Sequence, residues 1–191
     1  MKVLHIDASA LGAHSVSRNL TAAIVAEFVR THPNAEVTYR DVHAAPLPHW
    51  AMPAADAGTT VGDEVMDEFL AADVVVIGAP MYNFSITSSL KAWIDRIAVA
   101  GKTFRYTSAG PEGLAVGKKV IIASTRGGIY SAGSPAAGMD FQEPYLRAVF
   151  GFLGVTDLEF VRAEGLALGD EHKTKSIDSA VAGIGGLANA A

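Results

Sequence analysis

Five short apolar runs, separated by helix-like stretches, constrain what this chain can fold into more than any other feature of its sequence. The runs are rich in β-branched residues and span Lys2–Asp7, Glu36–Asp41, Asp73–Ala79, Lys118–Ser124 and Asp157–Ala163. Short runs of this composition predict β-strands. The first, third and fourth are almost entirely apolar, which is typical of strands covered on both faces. The second and fifth alternate more and are expected near the edges of a sheet.

The stretches between these runs have the apolar spacing of helices that pack on a sheet. Predicted helices span Ser15–Thr31, Asp63–Ala71, Ser88–Ala100, Gln142–Leu153 and, with glycine interruptions, Glu171–Leu187. Alternation of strand and helix predicts an α/β fold, a doubly wound parallel sheet with helices on both faces. Five such units fit the flavodoxin-like strand order 2-1-3-4-5, in which ligands bind at the carboxyl ends of the strands beside the switch between strands one and three.

The length and composition favour a single domain over residues 1–191. Half of the residues are hydrophobic and 18% are charged, which argues against a disordered chain and for one continuous core. The formal charge is −5 and the 15 basic residues form no block. Nucleic acids and anionic membranes are therefore not expected as partners.

The chain has no cysteine, which excludes disulfides, thiolate metal sites and a cysteine nucleophile. This fits a reducing compartment, and the cytoplasm is the expected location. Asp7 interrupts the first apolar stretch, so neither a signal peptide nor a membrane span is predicted there. The histidines lack the spacing of metal ligands, and no metal site is predicted.

Three loops follow the most apolar strands and are expected to converge at the carboxyl edge of the sheet: Ala8–Ser17, Pro80–Ser88 and Thr125–Asp140. The first carries Ser9, Ser15 and Ser17 and runs through Val16 into the first helix. Hydroxyls and unpaired backbone N–H groups at a helix N-terminus form a site for a phosphate. Serine before a helix is also a common cap without any ligand, so this loop alone leaves both readings open.

The second loop carries bulky side chains at its tip, in the run Pro80-Met81-Tyr82-Asn83-Phe84. Apolar and aromatic side chains at a loop tip favour a flat partner that covers them, and an isoalloxazine ring is such a partner. Pro80 fixes the chain as it leaves the strand, so that amides around Asn83 and Phe84 can face the N5 and O4 edge of the ring. The alternative is that Met81 and Phe84 simply pack under a helix.

The third loop begins Thr125-Arg126-Gly127-Gly128. Consecutive glycines allow backbone N–H groups to approach a ligand and to form a concavity that accepts an anion. Such a concavity suits the negative charge at N1 and O2 of a reduced flavin. Gly-Gly by itself is more often only a turn.

Taken together, several segments resemble one known family. They are Pro80–Phe84, Thr103–Thr107, Gly110–Leu114, Arg126–Ile129, Phe150–Gly154 and Ala163–Gly165. In order and spacing they closely resemble the bacterial FMN-dependent NADH-azoreductases, which also reduce quinones, and the similarity extends over essentially the whole chain.

The resemblance implies roles for individual residues. Ser9 and the Ser15–Ser17 segment would bind the FMN ribityl phosphate, Met81–Phe84 would line the isoalloxazine, and Thr125–Gly128 would lie on its pyrimidine side. Members of the family are homodimers whose active site is completed across the interface. On that pattern, Tyr106 and Phe152 would wall the substrate slot of the other subunit.

The function implied is an FMN-dependent NAD(P)H oxidoreductase that reduces azo compounds and quinones. NADH or NADPH would deliver a hydride through flavin N5 in a ping-pong cycle, and no side chain is identified as catalytic because the flavin does the chemistry. The alternative is a flavodoxin-type FMN electron carrier that does not oxidise NAD(P)H directly.

Three features depart from the family pattern and leave the preferred acceptor open. The stretch Pro46–Gly62 is short, the Ser131–Asp140 loop is longer and rich in Gly and Ala, and Tyr130 stands where a histidine is common.

Overall fold

The computed structural model describes residues 1–51 and 60–190 and contains a five-stranded parallel sheet. Its strands are β1 (Lys2–Asp7), β2 (Glu36–Asp41), β3 (Val74–Pro80), β6 (Lys119–Thr125) and β7 (Asp157–Ala163), and a separate antiparallel hairpin is formed by β4 (Phe104–Thr107) and β5 (Gly110–Gly113). The sheet order β2-β1-β3-β6-β7 confirms the order predicted for the five apolar runs. Residues 52–59, which belong to the short Pro46–Gly62 stretch, lie outside the described residues.

Burial across the sheet follows the composition of the strands. Every residue of β3 and β6 is buried, and β2 is largely exposed at one edge. The parallel register pairs Asp7 with Gly78, and Pro80 with Thr125. The carboxyl ends of β1, β3 and β6 therefore lie side by side, and the loops that follow them start from one edge.

Helices cover both faces of the sheet. They are α1 (Val16–Thr31), α2 (Val61–Ala71), α3 (Ser88–Ile97), α4 (Glu143–Phe152) and α5 (Asp170–Ala182), with 3-10 turns at Gly12–His14, Ala137–Met139 and Ile184–Ala190. On one face α1 and α5 pack around Leu20 and Phe28. On the other, α2, α3 and α4 pack around Phe69, Trp93 and Phe150. The core is thus two apolar layers separated by the sheet.

Two predicted helix ends were wrong. The third helix stops at Ile97 and not at Ala100, because the Thr103 hydroxyl donates to the Ile97 carbonyl and accepts from the Val99 N–H, replacing the next helical turn. The last helix ends at Ala182, and the chain continues after Gly183 as a 3-10 helix. Glycine lowers the propensity for a continuous α-helix there.

The β4–β5 hairpin was not predicted as strands, because each strand has only four residues. It packs closely on the end of α4. A Cβ on Gly113 would lie 2.2 Å from the Gly154 backbone nitrogen, and Gly154 itself has φ 96°. Only glycine allows this approach of two backbones.

Candidate functional site

The three predicted loops meet at the carboxyl edge of the sheet. The Ala10 N–H donates to the Tyr82 hydroxyl at 3.0 Å, which joins the first loop to the second. The Met81 N–H donates to the Thr125 carbonyl at 2.8 Å, which joins the second loop to the third. The three loops therefore form one continuous surface.

The first loop places its serines around the start of α1. Ser9, Ser15 and Ser17 are buried, and the Ser15 and Ser17 hydroxyls lie 3.0 Å apart. The Ser15 hydroxyl also caps the helix by accepting from the Arg18 N–H. One of the two hydroxyl protons and the N–H groups of Val16 and Ser17 have no partner within the described residues. The first loop therefore contains both the helix cap and the unpaired donors that a phosphate site requires.

The tip of the second loop is a tight turn. Tyr82 and Ser85 exchange two backbone hydrogen bonds of 2.9 and 3.1 Å, and the two residues between them have positive φ, 49° at Asn83 and 73° at Phe84. Phenylalanine is disfavoured in this conformation. Neither Asn83 nor Phe84 uses its backbone N–H within the described part of the chain. The strain is therefore concentrated where two amides are left unpaired.

The Phe84 side chain lies beside the third loop. Its ring is 39% exposed, and its centroid is 6.3 Å from that of Tyr130 in an edge-on contact. The Phe84 carbonyl accepts from the Phe141 N–H at 3.0 Å. Met81 and Tyr82 are half-buried and Pro80 is buried.

In the third loop, the carbonyl groups of Gly127 and Gly128 accept hydrogen bonds, whereas their N–H groups are unpaired within the described residues. The Gly127 and Gly128 carbonyls accept from the Ala167 and Gly165 N–H groups at 3.0 and 2.8 Å. Among the described residues nothing accepts from the Gly127 and Gly128 N–H groups. This arrangement can accept an anion or a carbonyl edge of a ligand.

Arg126, which the sequence groups with the cofactor residues, has its side chain elsewhere. The guanidinium is buried, 1% exposed, and contacts Glu164 at 2.9 Å, Glu143 at 2.7 Å and Asp140 at 3.0 Å. Its Nε also donates to the Ser124 hydroxyl. The side chain is therefore committed to a buried ion cluster, whereas the backbone N–H groups of its neighbours Gly127 and Gly128 have no acceptor within the described residues.

Two residues of this cluster were missed by sequence reasoning. Gln142 accepts from Arg126 Nε and donates to the Ala79 carbonyl at 2.7 Å, which ties the end of β3 to the third loop. Glu164 accepts from the Tyr130 N–H at 2.8 Å. Burial raises the pKa of Glu164, but hydrogen bonds from Tyr130, Ser131 and Arg126 together hold it below its ordinary value. The position of Glu164 directly after the last strand could have indicated a role at this edge of the sheet. No feature of the sequence indicated a role for Gln142.

A second buried charge network supports the first loop. Arg18 donates to the Ser9 carbonyl at 2.8 Å and to the Asp41 carboxylate at 2.6 Å. Asp7 accepts from Thr21 and Tyr39. Burial raises the pKa of Asp7, but the hydrogen bond and charge of nearby His5, with those from Thr21 and Tyr39, hold it below its ordinary value. Arg18 therefore orients Ser9 and is paired with carboxylates.

A cavity of about 920 Å³ opens beside the tip of the second loop. Tyr82 and Asn83 line it together with Leu47, Ile86 and Tyr145. The predicted phosphate serines and the third loop do not line it. Its volume and mixed apolar and polar walls fit an aromatic small molecule.

Tyr106 and Phe152 lie together on the hairpin and the end of α4. Phe104 connects them, with ring centroids 5.6 Å from Tyr106 and 4.6 Å from Phe152. Tyr106 is 75% exposed. Neither residue lines the cavity beside the second loop. Among the described residues, no hydrogen bond or ring contact joins these two aromatic side chains to the three loops.

In residues 1–51 and 60–190, no group of three or more histidine or acidic side chains is arranged as a metal site. Over the same residues, no helix is long and apolar enough to cross a membrane. The site therefore consists of unpaired backbone donors in three neighbouring loops and the aromatic side chains of Tyr82, Phe84 and Tyr130.

Comparison with known proteins places the chain among flavoproteins. A family model described as having a flavodoxin-like fold matches residues 1–186. The FMN-dependent NADH:quinone oxidoreductase of Rhizobium meliloti (strain 1021) is 59% identical over 193 residues, covering 94% of this chain and 93% of the relative. Among solved structures, an azoreductase from Bacillus anthracis str. Sterne superposes with a TM-score of 0.89 at 31% identity, covering all of both chains. An FMN-dependent NADH-azoreductase from Bacillus anthracis str. Ames Ancestor, in complex with FMN, gives 0.87 at 26% identity, covering 99% and 98%.

Proposed function

We propose, from the premise that this chain belongs to the family with the flavodoxin-like fold, that it is an FMN-dependent NADH oxidoreductase that reduces quinones and azo compounds. The observation that carries the proposal is the convergence of unpaired backbone N–H groups at Val16, Ser17, Asn83, Phe84 and the Gly127–Gly128 pair on one edge of the sheet. The high identity to a quinone oxidoreductase supports the same conclusion.

The first loop fits the phosphate of FMN. Val16 and Ser17 would donate their N–H groups, and the Ser15–Ser17 hydroxyl pair would donate its remaining proton. The N-terminus of the 16-residue helix α1 adds a favourable dipole. Ser9 would complete the pocket, with its carbonyl held by Arg18.

The second and third loops fit the two edges of the isoalloxazine. Asn83 and Phe84 would donate their N–H groups to the N5 and O4 edge, and Gly127 and Gly128 theirs to the pyrimidine edge. Met81, Tyr82 and Phe84 would cover the ring, with Pro80 and Thr125 fixing the loop bases. Donors held in place by a folded scaffold cost little to order on binding.

When bound, FMN would accept a hydride from NADH at N5 and pass two electrons to the quinone or azo compound. The protein's contribution is to bind and orient the flavin and its substrates. The two substrates would use the same slot in turn, which is a ping-pong cycle. No described side chain is placed as the proton donor, so water serves this role, with Tyr106 in support.

We infer that the active unit is a homodimer. Tyr106 is 75% exposed and contacts Phe104, which also contacts Phe152, and among the described residues neither aromatic ring contacts the three loops of its own chain. In a second copy these aromatic rings would wall the slot over the flavin. Sedimentation equilibrium of the FMN-loaded protein checks this, and a monomer with full activity contradicts it.

The function is tested by purifying the protein, adding FMN, and recording the visible spectrum and NADH oxidation with a quinone and with an azo dye. We expect a bound-flavin spectrum and turnover with both acceptors. Parallel double-reciprocal lines are expected for the ping-pong cycle, and intersecting lines contradict it. FMN binding without NADH oxidation indicates an electron carrier, and no FMN binding overturns the proposal.

The phosphate site is tested separately by comparing FMN with riboflavin, which lacks the phosphate. Ser17→Ala is expected to weaken FMN binding about tenfold, the loss of a charge-assisted hydrogen bond, and to leave riboflavin binding unchanged. Fluorescence quenching of each flavin by the apoprotein measures both constants. Equal weakening of both flavins shows that Ser17 does not contact the phosphate.

A further inference from the structure

Arg126 is a fully buried cation that the proposed chemistry does not use directly. Its guanidinium is 1% exposed and lies within 3.0 Å of carboxylate oxygens from three residues, Asp140, Glu143 and Glu164. Burying an arginine removes its charge from water, and ion pairs must offset this cost of desolvation. A cluster of this kind at the edge of a ligand site calls for a specific explanation.

Arg126 links the third loop to the segment after β7 through both its main chain and its side chain. Glu164 accepts from Arg126 Nη1 and from the Tyr130 N–H through the same oxygen. Three further backbone hydrogen bonds hold the loop to the segment after β7, from Leu166 to Arg126, from Ala167 to Gly127 and from Gly165 to Gly128. The backbone bonds and the contact of the guanidinium with Glu164 together fix the segment that carries the Gly127 and Gly128 amides.

Arg126 also controls the charge behind these amides. The cluster contains three carboxylates and, besides Arg126, the bidentate Arg162–Glu143 pair at 2.7 Å. Arg162 is 42% exposed, so water screens it, whereas Arg126 is not screened. Among the described residues, Asp140 and Glu164 form no ion pair with an arginine other than Arg126, and Glu164 accepts from the Tyr130 N–H of the same loop.

We propose that Arg126 is a positioning residue that makes the third loop favour reduced over oxidised FMN. It neutralises the carboxylates of Asp140, Glu143 and Glu164 next to the third loop and holds the Gly127–Gly128 amides toward the pyrimidine edge, where negative charge increases on reduction. The inference rests on the proposed function, because it concerns the affinity of the same loop for the two redox states. A residue that lies behind the cofactor shell tunes the cofactor without contacting it.

The test compares two variants with opposite charge changes, Arg126→Gln and Glu164→Gln. The dissociation constant for oxidised FMN is measured by fluorescence quenching of the apoprotein, and the potential of the bound flavin by equilibration with a redox dye. Arg126→Gln is expected to weaken the binding of reduced FMN at least tenfold more than the binding of oxidised FMN. For a two-electron couple, a tenfold difference lowers the potential of the bound flavin by about 30 mV. Glu164→Gln removes a negative charge and is expected to shift the potential upward.

Two further variants separate charge from structure. Arg126→Lys keeps the positive charge and loses the planar, bidentate geometry of the guanidinium. It is expected to bind both redox states of FMN more weakly, while the ratio of the two dissociation constants stays within about threefold of the wild-type ratio. Arg162→Gln removes an arginine from the same cluster and is expected to lower stability while changing the ratio less than about twofold, because that arginine is half exposed.

The outcomes distinguish this inference from the proposed function. Wild-type protein that binds FMN in neither state overturns the function. If the wild type binds FMN, the deciding quantity is the ratio of the dissociation constants for oxidised and reduced FMN. A ratio that shifts in the same direction in Arg126→Gln and Glu164→Gln, or that is unchanged in both, overturns the role of Arg126. If Arg126→Gln does not fold, Glu164→Gln, which keeps Arg126, decides: an unchanged ratio overturns the proposal, and an upward shift supports it.

Discussion

The Tyr82 hydroxyl accepts a hydrogen bond from the Ala10 N–H at 3.0 Å, across 72 positions of sequence. This contact joins the loop proposed to hold the phosphate to the loop proposed to hold the ring. A ligand that spans both loops requires their separation to be fixed, and a single side-chain-to-backbone bond provides part of that constraint.

Tyr82→Phe removes the acceptor and leaves the Ala10 N–H unpaired. We expect FMN affinity to fall about fivefold, the equivalent of about 1 kcal/mol for one hydrogen bond. Titration of the apoprotein with FMN measures it. Thr31→Val removes a comparable bond to the Glu27 carbonyl at the far end of α1 and is expected to leave FMN affinity unchanged. Equal losses in the two variants contradict a specific role for Tyr82.

Phe84 adopts a left-handed conformation, with φ 73°, at the second central position of its turn, where Asn-Gly is the favoured pair. Phe84→Gly and Phe84→Ala both remove the ring, but only glycine relieves the strain. The free energy of unfolding of the glycine variant is expected to exceed that of the alanine variant by about 1 kcal/mol, as measured by urea denaturation of the apoproteins. Both are expected to bind FMN more weakly than wild type. An alanine variant at least as stable as the glycine variant refutes the strain.

The Asp7 carboxylate contributes stability that depends on pH. Burial opposes ionisation, but His5, Thr21 and Tyr39 hold the pKa of Asp7 below 3.8. This stabilisation is therefore fully present above 3.8 and is lost as pH falls through the lower folded-state pKa. Asp7→Asn is expected to be less stable than wild type by about 1–3 kcal/mol at neutral pH.

The difference between Asp7→Asn and wild type is expected to shrink as the pH is lowered below 3.8. Urea midpoints across the acid range measure it. A difference that stays constant down to the lowest pH at which both variants fold is incompatible with a depressed Asp7 pKa.

The contact between Gly113 and Gly154 fixes the hairpin on α4. Gly113→Ala would place a methyl group 2.2 Å from the Gly154 nitrogen, and is expected to lower the free energy of unfolding by about 1–3 kcal/mol. Because the hairpin carries Tyr106 and packs on Phe152, quinone turnover is expected to fall more than FMN affinity.

Gly151→Ala is the matched control, since among the described residues nothing outside the helix's own backbone lies within 4 Å of its added methyl group on α4. It is expected to be as stable as wild type or up to about 1 kcal/mol more stable. Thermal unfolding and FMN titration of both variants give the comparison, and equal stability of the two variants would falsify the close-packing argument.

The sequence alone determined the sheet and the edge of the sheet at which the three loops meet. Apolar runs that alternate with helical patterns predict a parallel sheet covered on both faces, and this arrangement buries every residue of Val74–Pro80. The order of the strands then makes the loops after β1, β3 and β6 converge. Local composition, serine before a helix and consecutive glycines, indicated which loops present donors.

Only the tertiary structure decided which groups in those loops are free and which are already used. Arg126 stands beside Gly127 in sequence, yet its side chain is paired with carboxylates that come from the Asp140–Glu143 segment and from Glu164. The left-handed turn at Asn83 and Phe84 and the bond from Ala10 to Tyr82 likewise depend on long-range packing. Sequence periodicity records which face of an element is buried; it does not record which charges meet when distant elements pack together.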